Sequence, residues 1–115
     1  MSKASHKDFA CVLNIIDSIG KIKQYSSAFR NADELYHDNK SFDAVMMNFI
    51  VIGEMADKLS DDFKSTESHI DWFKIRGFRN IIAHNYFGID AEEVWQIIEN
   101  NLYELEIKLK RIIVS

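Results

Sequence analysis

Among the polar side chains that punctuate the apolar helical run RGFRNIIAHNYFGID, residues 76–90, four have types suited to chemistry: Arg79, Asn80, His84 and Tyr86. Their types suit cleavage of an RNA backbone. An imidazole titrating near neutrality, as at His84, can take or give the proton when a ribose 2′-hydroxyl attacks its own phosphodiester. A guanidinium, as at Arg79, offers a fixed fork of donors to the crowded oxygens of a pentavalent phosphorus, a role that lysine fills less well. Asn80 could orient either the imidazole or a phosphate oxygen, and Tyr86 could position the backbone. Taken singly, each is an ordinary surface or half-buried residue. Their clustering argues for chemistry: from Trp72 to Ile89 there is no Asp or Glu, while Lys74, Arg76 and Arg79 supply three cations.

At about 100° per helical residue, Arg79 and Tyr86 share one face, and Asn80 and His84 share another. Arg79 and His84, five apart, are roughly 140° out of register. Either the helix distorts or ends near His84, or the two side chains meet partners from elsewhere, such as a second copy of the chain.

The elements that must position these residues are all helical. Ser5 with Asp8 predicts an N-cap, followed by a stripe of Phe9, Val12, Leu13, Ile16, Ile19 and Ile22 that ends around Tyr25 to Phe29. Asn31 with Glu34 predicts a short second helix through ADELYH. From about Ser41, helical period runs through Phe42, Val45, Met46, Phe49, Ile52, Ala56 and Leu59 until the polar SDDFKSTES. Asp71 then caps a helix carrying Trp72, Ile75, Phe78 and Ile82, which Gly88 breaks. Asp90 and Glu93 start a last helix through Val94, Ile98, Leu102, Leu105, Leu109 and Ile112. The expected fold is all-α, an antiparallel bundle of about four main helices plus a short one.

The totals bound the rest. The 115 residues, 47% hydrophobic and 28% charged, predict one globular domain spanning 1–115. A net charge of −4 argues against coating nucleic acid by bulk electrostatics, leaving one small basic island on an acidic protein. Cys11, the one cysteine, is expected to be a small buried hydrophobe in a reducing compartment. The polar start MSKASHKDF carries no secretory pattern, and AVMMNFIVIG is about half the length of a membrane span. A cytoplasmic location is therefore expected. The Met46–Met47 pair reads as core. No Cys/His pattern suits zinc, no glycine-rich loop cradles a nucleotide, and the Glu-x-x-His of di-iron bundles occurs once, at Glu34 and His37, so no cofactor is indicated.

The segment from Arg79 to Tyr86 resembles the R-x4-H-x-Y motif of the HEPN superfamily, in the HepT-like branch that forms the toxin half of MNT–HepT toxin–antitoxin pairs. FDAVMMNFIVIGEMADKLSDDF is similar to that family's third helix, with its Ile-Gly-Glu signature at Ile52, Gly53 and Glu54, and Trp72 and YFGIDAEEVW match the flanks of the motif helix. Nearly the whole chain is covered, residues 26–40 least well. The resemblance implies a homodimer with Arg79 and His84 of both chains in one cleft, metal-independent endoribonuclease activity, and a small nucleotidyltransferase antitoxin. In related systems that partner transfers AMP from ATP to the motif tyrosine, here Tyr86. Arg76 is a possible supporting cation, and Glu54 is either a site residue or simply a polar helix position.

Two other readings compete. One is a non-catalytic interaction module that binds a nucleotidyltransferase, with Trp72, Phe78 and Phe87 offered to an interface. The other makes the cleft a nucleotide-binding site in which Arg79 grips phosphate.

Overall fold

The computed structural model describes residues 5–80 and 90–114. Ile82, His84, Tyr86, Phe87 and the break expected at Gly88 lie outside the described residues. With no proline in the chain, side-chain caps do the segmenting. Helices α1 (His6–Ser26), α2 (Ala32–His37), α3 (Asn39–Lys58), α4 (Asp61–Thr66), α5 (Trp72–Arg76) and α6 (Ala91–Gln96) begin at Ser5, Asn31, Asp38, Ser60, Asp71 and Asp90 respectively. Each of these six side chains accepts the backbone N–H three residues on, satisfying one of the amides that a helix start leaves without an internal partner. Among the described residues there is no strand, and no helix is long and apolar enough to cross a membrane.

The last element departs from a regular helix. After α6 a π-helical turn, Ile97–Asn101, leads into α7 (Leu102–Val114), and the Leu102 N–H reaches back to the Ile97 carbonyl. The wider turn lets two consecutive residues, Ile97 and Ile98, both face the core, where regular period predicts only Ile98.

The centre of the protein is an antiparallel pair. Asp8 at the start of α1 meets Ser60, just beyond the end of α3, and Asn14 meets Met55 one to two turns further in. Val12, Ile15, Ile19 and Ile22 of α1 pack with Val45, Met46, Phe49, Ile52 and Ala56 of α3, and Val94, Leu102 and Leu109 close the core from the C-terminal side. Phe9 and Leu13, expected in the α1 stripe, are exposed instead. They lie roughly 60–100° around the helix from Val12, on a flank that no described element covers. Met46 is core as expected, whereas Met47 is 60% exposed. Cys11 is buried, and burial pushes its thiol pKa up.

Asp8 joins two helix starts. Its carboxylate accepts the Ser60 amide at 2.8 Å and the Ser60 hydroxyl at 2.7 Å, while Ser60 Oγ caps α4 by accepting from the Phe63 amide. Burial alone would raise the Asp8 pKa, but the Ser60 and Ser5 hydrogen bonds outweigh it and hold the carboxyl below its usual value. Glu106 behaves likewise: burial raises it, and Lys23 at 2.8 Å with Lys110 at 3.4 Å brings it below the usual value. A carboxyl depressed on folding stabilises above its unfolded pKa, and that stability is lost as pH falls through the lower, folded pKa. The protein should therefore hold its stability above about pH 5 and lose it steeply below about pH 4. Asp8→Ala, which orphans two donors, is expected to cost about 2–3 kcal/mol in denaturant unfolding at pH 7. The difference from wild type should shrink at pH 3.

Candidate functional site

Arg79 is set by its neighbours in sequence. Asp71 starts α5, Trp72 and Ile75 enter the core, and the Gly77 N–H returns to the Phe73 carbonyl to close the helix. The backbone turns at Gly77 and is helical again at 78–80, with the Asn80 N–H on the Gly77 carbonyl at 3.0 Å. The helix expected to run unbroken from Asp71 is thus interrupted at Gly77, although Gly77 itself keeps right-handed helical backbone angles, φ −69° and ψ −13°. Phe78 anchors the turn that carries Arg79: it is 2% exposed and meets Phe49 of α3 edge-on, ring centroids 5.7 Å apart.

With Phe78 fixed, Arg79 lies along α3. Its Nη1 donates to Glu54 Oε2 at 2.7 Å, and this hydrogen bond, the largest cause, raises the guanidinium's pKa further. Both side chains are partly in water, so solvent screening makes the pair a fixer of geometry more than a source of stability. One turn before Arg79, and one turn beyond Glu54 on α3, Arg76 faces Asp57 at 3.8 Å, beyond hydrogen-bonding range, and the Arg76 guanidinium lies over the Phe73 ring, 5.5 Å from the centroid.

Gly53 makes the close approach possible. A Cβ there would lie 2.5 Å from Arg79 Cγ and 3.3 Å from both the Arg76 carbonyl oxygen and the Arg79 nitrogen. Two substitutions should therefore differ in sign. At Gly20 of α1 an added Cβ meets nothing within 4 Å, so Gly20→Ala is expected to stabilise by about 0.5–1 kcal/mol through helix propensity. Gly53→Ala gains the same propensity but overpacks against Arg79 and the turn, costing about 1–3 kcal/mol, for a net loss of about 1 kcal/mol. Thermal unfolding of the two variants beside wild type measures both.

Of the residues singled out from sequence, the structure brings Arg79 and Glu54 into contact, places Arg76 one turn away on the same side, and leaves Asn80 exposed beside Arg79. His84 and Tyr86 lie outside the described residues. Trp72 and Phe78, offered to an interface, are instead 8% and 2% exposed core residues. Phe73, which no sequence pattern singles out, is 77% exposed. Asp57 also escapes a reading by residue type, although a signal is present: acids at 54 and 57 mirror arginines at 76 and 79 with the same three-residue spacing. Arg79 does not line the pocket between α5 and α7, whose walls include Lys74, Phe78, Glu104 and Lys108. The site is an open ledge carrying two arginines.

The HepT-like family, described as Ribonuclease HepT-like, matches residues 15–112. "Probable ribonuclease HepT" of Thermococcus cleftensis is 28% identical over 110 residues, covering 96% of this chain and 97% of that protein. "Putative RNase MJ0127" of Methanocaldococcus jannaschii is 33% identical over 84 residues, 70% of this chain and 69% of the relative. A third relative, "Gamma-glutamylcyclotransferase and putative RNase MJ0434" of the same organism, is 28% identical over 107 residues; these are 92% of this chain, which spans about half, 48%, of that longer protein. No solved structure matches the chain significantly. The match runs through α1, α3, the Arg79 ledge and α7, and on it the chain belongs to the HepT-like ribonuclease family.

Proposed function

We propose that the chain, as one HEPN domain over 1–115, is a metal-independent endoribonuclease acting in the cytoplasm as the toxin of a toxin–antitoxin pair. The observation that carries this reading is Arg79, held on the ledge by Glu54 at 2.7 Å at the head of the R-N-x3-H-N-Y sequence in a chain of the HepT-like ribonuclease family.

In the proposed reaction the ribose 2′-oxygen bonds to phosphorus and the phosphorus–O5′ bond breaks. His84 takes the 2′-hydroxyl proton or supplies the proton that the leaving 5′-oxygen requires. The products are a 2′,3′-cyclic phosphate and a 5′-hydroxyl end. Arg79 neutralises the charge gathering on the equatorial oxygens, Asn80 orients the imidazole or a phosphate oxygen, Arg76 adds a second cation to the ledge, and Tyr86 positions the backbone. A homodimer brings Arg79 and His84 of two chains to one cleft, which removes the need for the pair to converge within a single helix. A nucleotidyltransferase antitoxin silences the site: the Tyr86 hydroxyl attacks the α-phosphate of ATP, loses its proton and expels pyrophosphate, leaving a bulky anion where RNA phosphate would bind.

The exposed Phe73 and Met47 favour a second reading, a non-catalytic module that docks the nucleotidyltransferase. Expression in a bacterial host separates the two. The ribonuclease reading predicts growth arrest by wild type but not by His84→Ala, relieved by a co-expressed nucleotidyltransferase with a mass gain of one adenylate on Tyr86. Equal growth of both strains, with a stable complex on co-purification, would favour the docking module.

A further inference from the structure

Glu54 takes no part in the bond changes of the proposed reaction, yet it holds the closest side-chain contact that Arg79 makes among the described residues. We infer that Gly53 and Glu54 form a socket on α3 in which Glu54 is the positioning residue for Arg79, aiming its guanidinium at the scissile RNA phosphate. The inference rests on the ribonuclease reading and adds a residue and a mechanism to it.

Three observations converge on the socket. Arg79 has four rotatable side-chain torsions, and a free arginine at a surface would lose considerable rotamer entropy on fixing a phosphate. Here the restriction is built in at two points along the side chain: Cγ lies so close to Gly53 that no Cβ fits there, and Nη1 is tied to Glu54. Glu54 accepts from a single nitrogen, at 2.7 Å, so it takes one of the five N–H donors and leaves the fork geometry to a second acceptor. A carboxylate gripping both arms would compete with phosphate; a carboxylate gripping one arm orients the other. The neighbouring pair gives an internal contrast. Asp57, one turn along α3, carries the same charge but stands 3.8 Å from Arg76, too far for a hydrogen bond, so it adds field without fixing direction.

The contrast decides the experiment. Initial rates of RNA cleavage are measured for wild type, Glu54→Ala, Glu54→Gln and Asp57→Ala, and again for Glu54→Ala in an Arg79→Ala background. Misaiming a group that acts in the transition state lowers kcat more than it changes KM. Glu54→Ala is expected to lose about 10–100-fold in kcat with KM within about threefold. Glu54→Gln keeps the accepting oxygen and should recover to within about fivefold of wild type. Asp57→Ala should stay near the wild-type rate, and Glu54→Ala should add nothing once Arg79 is gone. Wild-type or faster cleavage by Glu54→Ala overturns the inference and leaves the ribonuclease reading standing. So does an equal loss in the Arg79→Ala background, which would mean that Glu54 acts elsewhere.

If wild type itself cleaves no RNA, the ribonuclease reading fails separately, and nitrogen-15 NMR of the arginine side chains judges the socket. A slowly exchanging guanidinium signal, assigned to Arg79 by its absence in Arg79→Lys and lost in Glu54→Ala, supports it. The same signal in wild type and Glu54→Ala overturns it.

Discussion

His84→Ala is expected to lower the rate of RNA cleavage by about 10²–10⁴-fold, the span that removal of a positioned proton-transfer group typically covers. Attack by a 2′-hydroxyl requires that its proton be accepted as the oxygen bonds to phosphorus, and the leaving 5′-oxygen requires one in return. His84 is the one imidazole in the acid-free stretch 72–89, where the phosphate is also expected to bind. The other histidines at 6, 37 and 69 are elsewhere; His37, for example, faces the Asp33 carbonyl at 2.8 Å within α2. Single-turnover rates on one labelled RNA, with circular dichroism to compare helix content, measure the loss. A rate within about twofold of wild type would remove His84 from the mechanism.

Arg79→Ala is expected to lose about 10²–10³-fold in kcat, in line with removal of one preorganised donor to a developing anion. Phe78 is locked against Phe49, Gly53 lets the Arg79 stem lie against α3, and Glu54 holds one arm, so the guanidinium is organised before substrate arrives. Arg79→Lys keeps the charge but loses the planar fork, and is expected to recover only part of the rate. Full recovery by lysine would mean that Arg79 contributes charge alone, and no loss in either variant would place the phosphate elsewhere. Because the Arg79 side chain is partly exposed, neither substitution should unfold the bundle.

Much of the fold is legible in the sequence because its segmentation is local. Ser5, Asn31, Asp71 and Asp90 are each recognisable as caps by residue type and spacing, and each side chain accepts the backbone N–H three residues on. Ser60 is not: SDDFKSTES reads as polar loop, since a six-residue helix with one buried residue, Phe63, leaves no periodicity to detect. The break at Gly77 and the π turn at Ile97–Asn101 escape notice for a related reason, as the apolar period of Trp72, Ile75 and Phe78 continues across the first and the second only adds Ile97 to the stripe that holds Ile98. Local pattern does not encode either one. Phe9, Leu13 and Met47 mark the converse limit: apolar period identifies a helix, but only the placement of neighbouring helices decides how wide a stripe is covered.

The site is legible in its residue types and not in its support. The chemistry that arginine, asparagine, histidine and tyrosine could perform can be named from the residues alone, and the family match adds the ribonuclease class without assigning a role to any of the four. Glu54 cannot be resolved between a site residue and a polar helix position without its distance to Arg79, because the two are 25 residues apart and only the α3–α5 packing brings them together. The mirrored spacing of 54 and 57 with 76 and 79 becomes meaningful once those elements are seen side by side.

The central claim, that this chain cleaves RNA through its own side chains by 2′-hydroxyl attack, is tested most directly with an end-labelled RNA and purified protein in EDTA, wild type beside His84→Ala and Arg79→Ala, with the product ends identified. Wild type is predicted to cleave and to leave 2′,3′-cyclic phosphate and 5′-hydroxyl ends, with little or no cleavage by either variant. Intact RNA in all three, or equal cleavage by all three, would contradict it.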